Sequence, residues 1–237
     1  HIGTAWYRNT FTLPKEAKGK KVLLLFEGAM SEPQVYLNGK KVGEWAYGYS
    51  YFYFDVSQFI QEGANTVAVK LSNKEFASRW YPGAGLYRKV SVIIKNNESI
   101  DQWGQFITTP FISDAVAKVN IKTKASGENT RLVTTIFDAE GHKVSAEESS
   151  LRFGKEFDQN LKVENPKLWS PETPYLYKAV AQLYVGNELK DEVATRFGIR
   201  EIKYEANKGF SLNGKVTKFK GVCLHHDLGP LGAAVNK

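Results

Sequence analysis

Apolar and polar positions along this chain alternate mostly with a period of two, the spacing that buries one face of a β-strand. Strands are predicted over residues 6–13, 20–27, 34–37, 41–45, 47–55, 65–71 and 88–94, and then over 113–124, 131–138, 151–163, 175–185 and 189–197. Asn38-Gly39 and Asn213-Gly214 each separate two short apolar segments. Both dipeptides are what a type I′ hairpin requires, because its two central residues need positive φ. A buried strand is expected from Phe219 to Leu224, delivering His225, His226 and Asp227 together at its C-terminal end. Asn96-Asn97-Glu98-Ser99 is a polar junction where one pattern stops and the next begins.

Composition agrees with this all-β reading. The chain has 237 residues, enough for two domains of ordinary size, and aromatic residues make up 13% of it, which favours strands over helices. The net charge of +7 permits an acidic partner, but the Lys and Arg residues are scattered in short turn-flanking pairs such as Lys40-Lys41. That is not the clustered stripe that tracks a phosphate backbone, so nucleic acid is not an expected partner. The longest apolar run, Val22 to Phe26, is far too short to cross a bilayer. One cysteine excludes an intrachain disulfide and any paired-cysteine metal or redox site, and Cys223 is expected to be a small buried hydrophobe. His1-Ile2-Gly3 runs straight into strand-like sequence without an initiator Met or a signal-type segment, which reads as a cut or processed start.

Candidate chemistry is sparse. Tyr47, Tyr49, Tyr51 and Tyr53 would share one face of a strand, where they could stack on sugar rings, while Phe52 and Phe54 fill the core on the other. The favoured reading of that stripe is a half-exposed sheet face or interdomain contact. The loop 76–88, with Arg79, Trp80, Tyr81, Gly83 and Gly85, is rich in aromatics and glycine, and loops of this kind often bind ligands. His142 falls in an Ala-Glu-Gly-His turn and reads as a solvated residue. Adjacent His225 and His226 on a strand would point to opposite faces, so one metal ion could not easily take both, and no metal site is expected.

Five segments in order carry a resemblance that periodicity could not supply. They are Gly3-Thr4-Ala5-Trp6-Tyr7-Arg8, Phe26-Glu27-Gly28, Val35-Tyr36-Leu37-Asn38-Gly39, the run 48–55, and the run 79–88 that contains Arg79-Trp80-Tyr81-Pro82-Gly83. Together they resemble the N-terminal sugar-binding domain of glycoside hydrolase family 2, the family of β-galactosidases, β-glucuronidases and β-mannosidases. Asn165-Pro166-Lys167-Leu168-Trp169-Ser170-Pro171 resembles a loop of the second domain of that family, and Phe197-Gly198-Ile199-Arg200 resembles the exit into its catalytic barrel.

The resemblance implies a jelly-roll sandwich over 1–96, an immunoglobulin-like sandwich over 97–201 and the start of a (β/α)8 barrel over 202–237, truncated after its first strand. Family 2 enzymes are retaining glycosidases, which need two carboxyl groups roughly 5–5.5 Å apart. The resemblance puts both glutamates on later barrel strands, beyond residue 237, so no catalytic residue is expected here and the chain alone should be inactive. Asn97-Glu98 and Asn187-Glu188 mimic the family's Asn-Glu pair, but both fall in turns of the accessory domains. His225 corresponds to a histidine of the sugar subsite, where a neutral imidazole donates to a hydroxyl, with His226 and Asp227 as weaker neighbours.

β-Galactosides are the favoured substrate by overall similarity. The alternatives are a carbohydrate-binding module or lectin working through Trp80, Tyr81 or the tyrosine stripe, and pure scaffold or subunit-contact domains of a β-glucuronidase or β-mannosidase; Arg79, Trp80 and Tyr81 are also weaker candidates for substrate contact. No cofactor is implied for these residues, and the resemblance leaves room for a divalent or sodium ion in the complete enzyme. The expected partner is a carbohydrate, with no membrane and with homo-oligomerisation open. A soluble bacterial protein, periplasmic or cytoplasmic, is the expectation.

Overall fold

The computed structural model describes residues 2–75, 84–223 and 234. Two compact units divide the chain, one built on the residues up to Lys95 and the other running from Asn96 to Gly221. Both are all-β and antiparallel. Among the described residues no helix is long and apolar enough to cross a membrane.

The first unit is a sandwich of seven strands: β1 (Gly3–Thr12), β2 (Lys21–Phe26), β3 (Gln34–Leu37), β4 (Lys40–Glu44), β5 (Phe52–Asp55), β6 (Ala64–Asn73) and β7 (Val90–Lys95). One sheet has the order β1-β6-β3-β4 and the other β5-β2-β7. Non-sequential neighbours of this kind are the mark of the jelly-roll class. Alternation decides what lies between the sheets. Val35 and Leu37 of β3, Val67, Val69 and Leu71 of β6, and Val22, Leu24 and Phe26 of β2 share one core with Phe52. Phe26 and Phe52 stack at 4.8 Å between ring centres. The β3–β4 hairpin turns on Asn38 at φ 51° and Gly39 at φ 80°, as a type I′ turn requires.

The strand expected over 47–55 forms only from Phe52. Gly48 packs under Met30, and the chain turns through 48–50 before it can pair with β2. Four tyrosines therefore do not line up on one strand face. The core half of that reading holds: Phe52 is buried and Phe54 packs against the same cluster.

The second unit holds β8 (Ser99–Ile112), β9 (Val116–Ser126), β10 (Thr130–Phe137), β11 (Lys143–Leu151), β12 (Glu156–Glu164), β13 (Tyr177–Val185) and β14 (Glu188–Phe197). They make a three-stranded sheet β12-β9-β8 facing a four-stranded sheet β11-β10-β13-β14. The sandwich is immunoglobulin-like with its fourth strand paired to the third, on the four-stranded side. No cysteine links its sheets. A buried amide does so instead. Gln159 of β12 is fully buried, accepts a 2.6 Å hydrogen bond from the Thr134 hydroxyl of β10, and turns its amide nitrogen toward the carbonyls of Leu132 and Glu147. Tyr177, buried at the start of β13, accepts the backbone N–H of Lys167 at 2.9 Å, which fastens the preceding loop as a tyrosine corner does.

Two strands of this unit escape the alternation rule. β8 has Trp103 at φ 55°, and five residue steps from Ile100 to Gln105 are matched by only two on β9, from Ala125 to Thr123. Bulges of this size scramble the inward and outward sequence of side chains. β11 is an edge strand with mostly polar residues, and the single strand expected over 151–163 is in fact the end of β11, a turn, and β12.

A meander follows in the same unit: β15 (Ile202–Glu205), β16 (Gly209–Leu212) and β17 (Lys215–Val216). Asn213 (φ 51°) and Gly214 (φ 76°) form its second turn, as their identity predicts. The strand expected from Phe219 is absent over 219–223. Phe219 is 72% exposed, Val222 is 89% exposed and Cys223 is exposed rather than buried. A barrel strand is stabilised by parallel neighbours on both sides and helices on both faces, and no described residue pairs with this segment.

Candidate functional site

His225, His226 and Asp227, together with Arg79, Trp80 and Tyr81, lie outside the described residues. What the structure describes is how each of these two segments is approached.

In the first unit, before residue 76, β6 ends at Asn73, which pairs with Gly3. After residue 83 the backbone is doubly fastened: Gly85 and Met30 exchange hydrogen bonds of 3.0 and 2.9 Å in an isolated bridge. Tyr87 then donates its hydroxyl to the Gly48 carbonyl at 2.8 Å and packs against Gly28, where a methyl group would stand 2.5 Å from the ring. Burial pushes the Tyr87 phenol above the ordinary tyrosine value, with the Arg88 guanidinium opposing it. Tyr47, Tyr49 and Tyr87 continue one another edge to face, at 5.8 and 6.3 Å. Two of the tyrosines expected on a strand face, Tyr47 and Tyr49, thus form a row with Tyr87, with Tyr47 exposed at its end.

In the second unit three segments that are far apart in sequence meet at Trp169. Its N–H donates to the Ile199 carbonyl at 2.8 Å, and its carbonyl accepts the side-chain amide of Asn213 at 3.0 Å. Gly198 lies so close that a methyl there would stand 2.6 Å from the Trp169 Cβ, and the Arg200 guanidinium lies over the indole at 4.7 Å. Asn213 also accepts the Glu201 N–H through its side chain and donates its own N–H to the Glu201 carbonyl, each at 3.0 Å. The path out of the sandwich toward residues 217–223 is thereby held by one indole and one turn asparagine. Sequence reading singled out each segment, but nothing in it showed that they touch.

Beyond this hub, Tyr204, Phe210 and Phe219 stack in series at 5.3 and 4.4 Å and line an open groove of about 680 Å³ with Thr217 and Lys218. His142, 78% exposed, sits in the β10–β11 turn against Asp138. No group of three or more metal-binding side chains occurs among the described residues. Glu98 packs beside Gly127 and Glu188 pairs with Lys190, so each Asn-Glu pair has a local structural setting.

Residues 1–103 match the sugar binding domain of glycosyl hydrolases family 2, and residues 99–200 match glycosyl hydrolases family 2 itself. The β-galactosidase BoGH2A of Bacteroides ovatus is 39% identical over 99% of this chain, which corresponds to 29% of that protein. Among solved structures, a family 2 member from Bacteroides cellulosilyticus superposes with a TM-score of 0.91 at 34% identity, over 98% of this chain and 31% of its own. The Bacteroides uniformis β-glucuronidase gives 0.87 at 30% identity, over 100% of this chain and 31% of its own. The chain thus spans about three-tenths of the length of these relatives. It belongs to glycosyl hydrolases family 2, of which it carries the sugar-binding jelly roll and the immunoglobulin-like domain that follows.

Proposed function

We propose that this chain is the N-terminal, non-catalytic portion of a retaining glycoside hydrolase that cleaves terminal β-glycosides, with β-galactosides as the preferred substrate. The observation that carries the reading is the uninterrupted succession of two family 2 domains over residues 1–200 in relatives about three times longer. In this reading the chain partitions into 1–96, 97–201 and 202–237, the last being the start of a catalytic barrel. The two catalytic carboxylates belong to sequence beyond residue 237. His225 donates a hydrogen bond to a glycone hydroxyl, His226 and Asp227 shape the same subsite, and Arg79, Trp80 and Tyr81 reach substrate from the loop whose two ends are fastened in the first unit.

The test compares this chain with a longer polypeptide that continues through the barrel, using nitrophenyl β-galactoside and β-glucuronide. The chain alone should give no turnover, and the longer protein should release the galactoside with retention of anomeric configuration. Hydrolysis by the 237-residue chain would refute the placement of the carboxylates, and a preference for the glucuronide would refute the choice of glycone. A second reading, a carbohydrate-binding module, is favoured by the sugar-binding description of the family domain over residues 1–103.

A further inference from the structure

The strand order β1-β6-β3-β4 brings two rows of side chains onto the outer face of the first unit's larger sheet. Trp6, Lys70, Gln34 and Glu44 form one row, and Arg8, Ala68, Tyr36 and Lys41 the next. Ala68 lies between Arg8 and Tyr36 on the central strand. Its small side chain leaves the space in which Trp6 and Tyr36 reach each other across β6, with ring centres 5.6 Å apart. Trp6 remains 46% exposed. The Arg8 guanidinium is held 5.4 Å from the Trp6 ring centre. Lys41 and Glu44 neutralise each other at 2.7 Å, whereas neither Arg8 nor Lys70 meets a carboxylate among the described residues. This face therefore carries an aromatic pair, its rings inclined by 42°, with two cations beside it that meet no carboxylate among the described residues.

We propose that this face is a binding platform for an acidic saccharide, a glycan bearing uronate groups, with Trp6 and Tyr36 taking the sugar rings and Arg8 and Lys70 the carboxylate. The C–H bonds on a pyranose face carry partial positive charge and meet the negative face of an aromatic ring, while the ring hydroxyls remain free for polar neighbours such as Gln34. The carboxylate supplies the charge that Arg8 and Lys70 lack, and an arginine already stacked on an indole loses little freedom on engaging it. A second copy of the chain is the poorer occupant, since a two-fold contact would set this cationic patch against itself. The platform is separate from the catalytic reading above, and its test uses no glycosidase activity.

The experiment titrates the 237-residue chain with a β-linked glucuronic acid tetrasaccharide and with the neutral glucose tetrasaccharide of the same linkage, followed by calorimetry and tryptophan fluorescence. Two exposed ion pairs give an expected preference for the acidic probe of about fivefold at low salt, shrinking as the salt is raised. Lys70→Gln and Arg8→Gln should bring the acidic probe down to the affinity of the neutral one, and Trp6→Ala should abolish binding of both. Trp103→Ala, at an exposed tryptophan of the other unit, should change neither. Lys70→Gln alters only a surface charge and so keeps the test valid should Trp6→Ala unfold the unit. Equal affinity for the two probes, binding that survives Trp6→Ala in a folded chain, or self-association abolished by Trp6→Ala would each overturn the proposal.

Discussion

Replacing Gln159 tests whether a buried amide holds the second sandwich together where a disulfide might have done so. Gln159 and Thr134 are both fully buried and share a 2.6 Å hydrogen bond between opposite sheets. Gln159→Leu removes that bond, worth about 1 kcal/mol net, and strands the Thr134 hydroxyl at a further cost of about 1–3 kcal/mol. The carbonyls of Leu132 and Glu147 also lose a donor at 3.3 and 3.2 Å, but a carbonyl with a second lone pair tolerates this better. Thr134→Val, nearly isosteric, strands the Gln159 oxygen instead and should cost about 1–3 kcal/mol. The double variant leaves neither group unpaired, so it should be less destabilised than the sum of the singles by about 1–3 kcal/mol. Native-state hydrogen exchange of the β9, β10 and β12 amides reads this unit separately from the other, as a chain of two compact units demands. Additivity of the two substitutions within about 0.5 kcal/mol would refute the argument.

Other expectations follow from close approaches and from burial. Gly198→Ala drives a methyl into Trp169 and should cost about 1–3 kcal/mol, read as a lower urea midpoint; an unchanged midpoint would mean that the indole moves freely. Asn213→Ala loses two side-chain hydrogen bonds and leaves alanine at φ 51°, so a loss of about 2–4 kcal/mol is expected locally, with faster proteolysis at the 202–216 meander as the readout. Burial raises the phenols of Tyr87 and Tyr177 above their ordinary value of 10.0. A raised value means that the unfolded chain ionises first, so the contribution of these tyrosines is intact below the ordinary value and is lost as pH rises through the folded one. Tyr177→Phe and Tyr87→Phe should each alter the alkaline unfolding profile followed by circular dichroism, and identical profiles in both would contradict the assignment. At the acid end, the Tyr175 hydroxyl donates to Glu140 and holds its carboxyl below the usual range, so this contact should loosen as pH falls through that lowered value. Tyr175→Phe should remove the effect from the chemical shift titration of the 138–142 turn.

Where alternation is regular and a turn has a specific chemistry, the fold can be read directly. β3 beside Asn38-Gly39, and β10, β12 and β13 in the second core, have inward residues at every other position. β8 could not be read this way, because its register slips twice against β9 and Gly104 can carry no side chain between the carbonyls of Asp101 and Lys124. β11 was hidden for another reason: as an edge strand it buries too little on either face to need apolar residues. The tyrosine-rich run misled because periodicity over 47–55 cannot reveal that Gly48 must tuck beneath Met30 and turn the chain before pairing starts.

Surfaces are harder to read than cores, since an exposed side chain acquires a neighbour only through strand order. Nothing in residues 6–8 points to residue 36 until β6, which begins 28 residues after Tyr36, is known to lie between β1 and β3. The same holds at Trp169, whose contacts come from positions 198–200 and 213. Both aromatic residues looked like ordinary members of family motifs, and both also take contacts from residues that only the topology brings near. For the candidate sugar contacts this means that the motif containing Trp80 and the one containing His225 identify segments but do not by themselves specify a site. A site on this scaffold is made by pairing across strands, so Ala68, a residue with no chemistry of its own, does as much to create the Trp6 and Tyr36 platform as either ring. Ala68→Val tests that step: the added methyls should wedge the rings apart and weaken glycan binding while the core, on the opposite face of β6, keeps its stability.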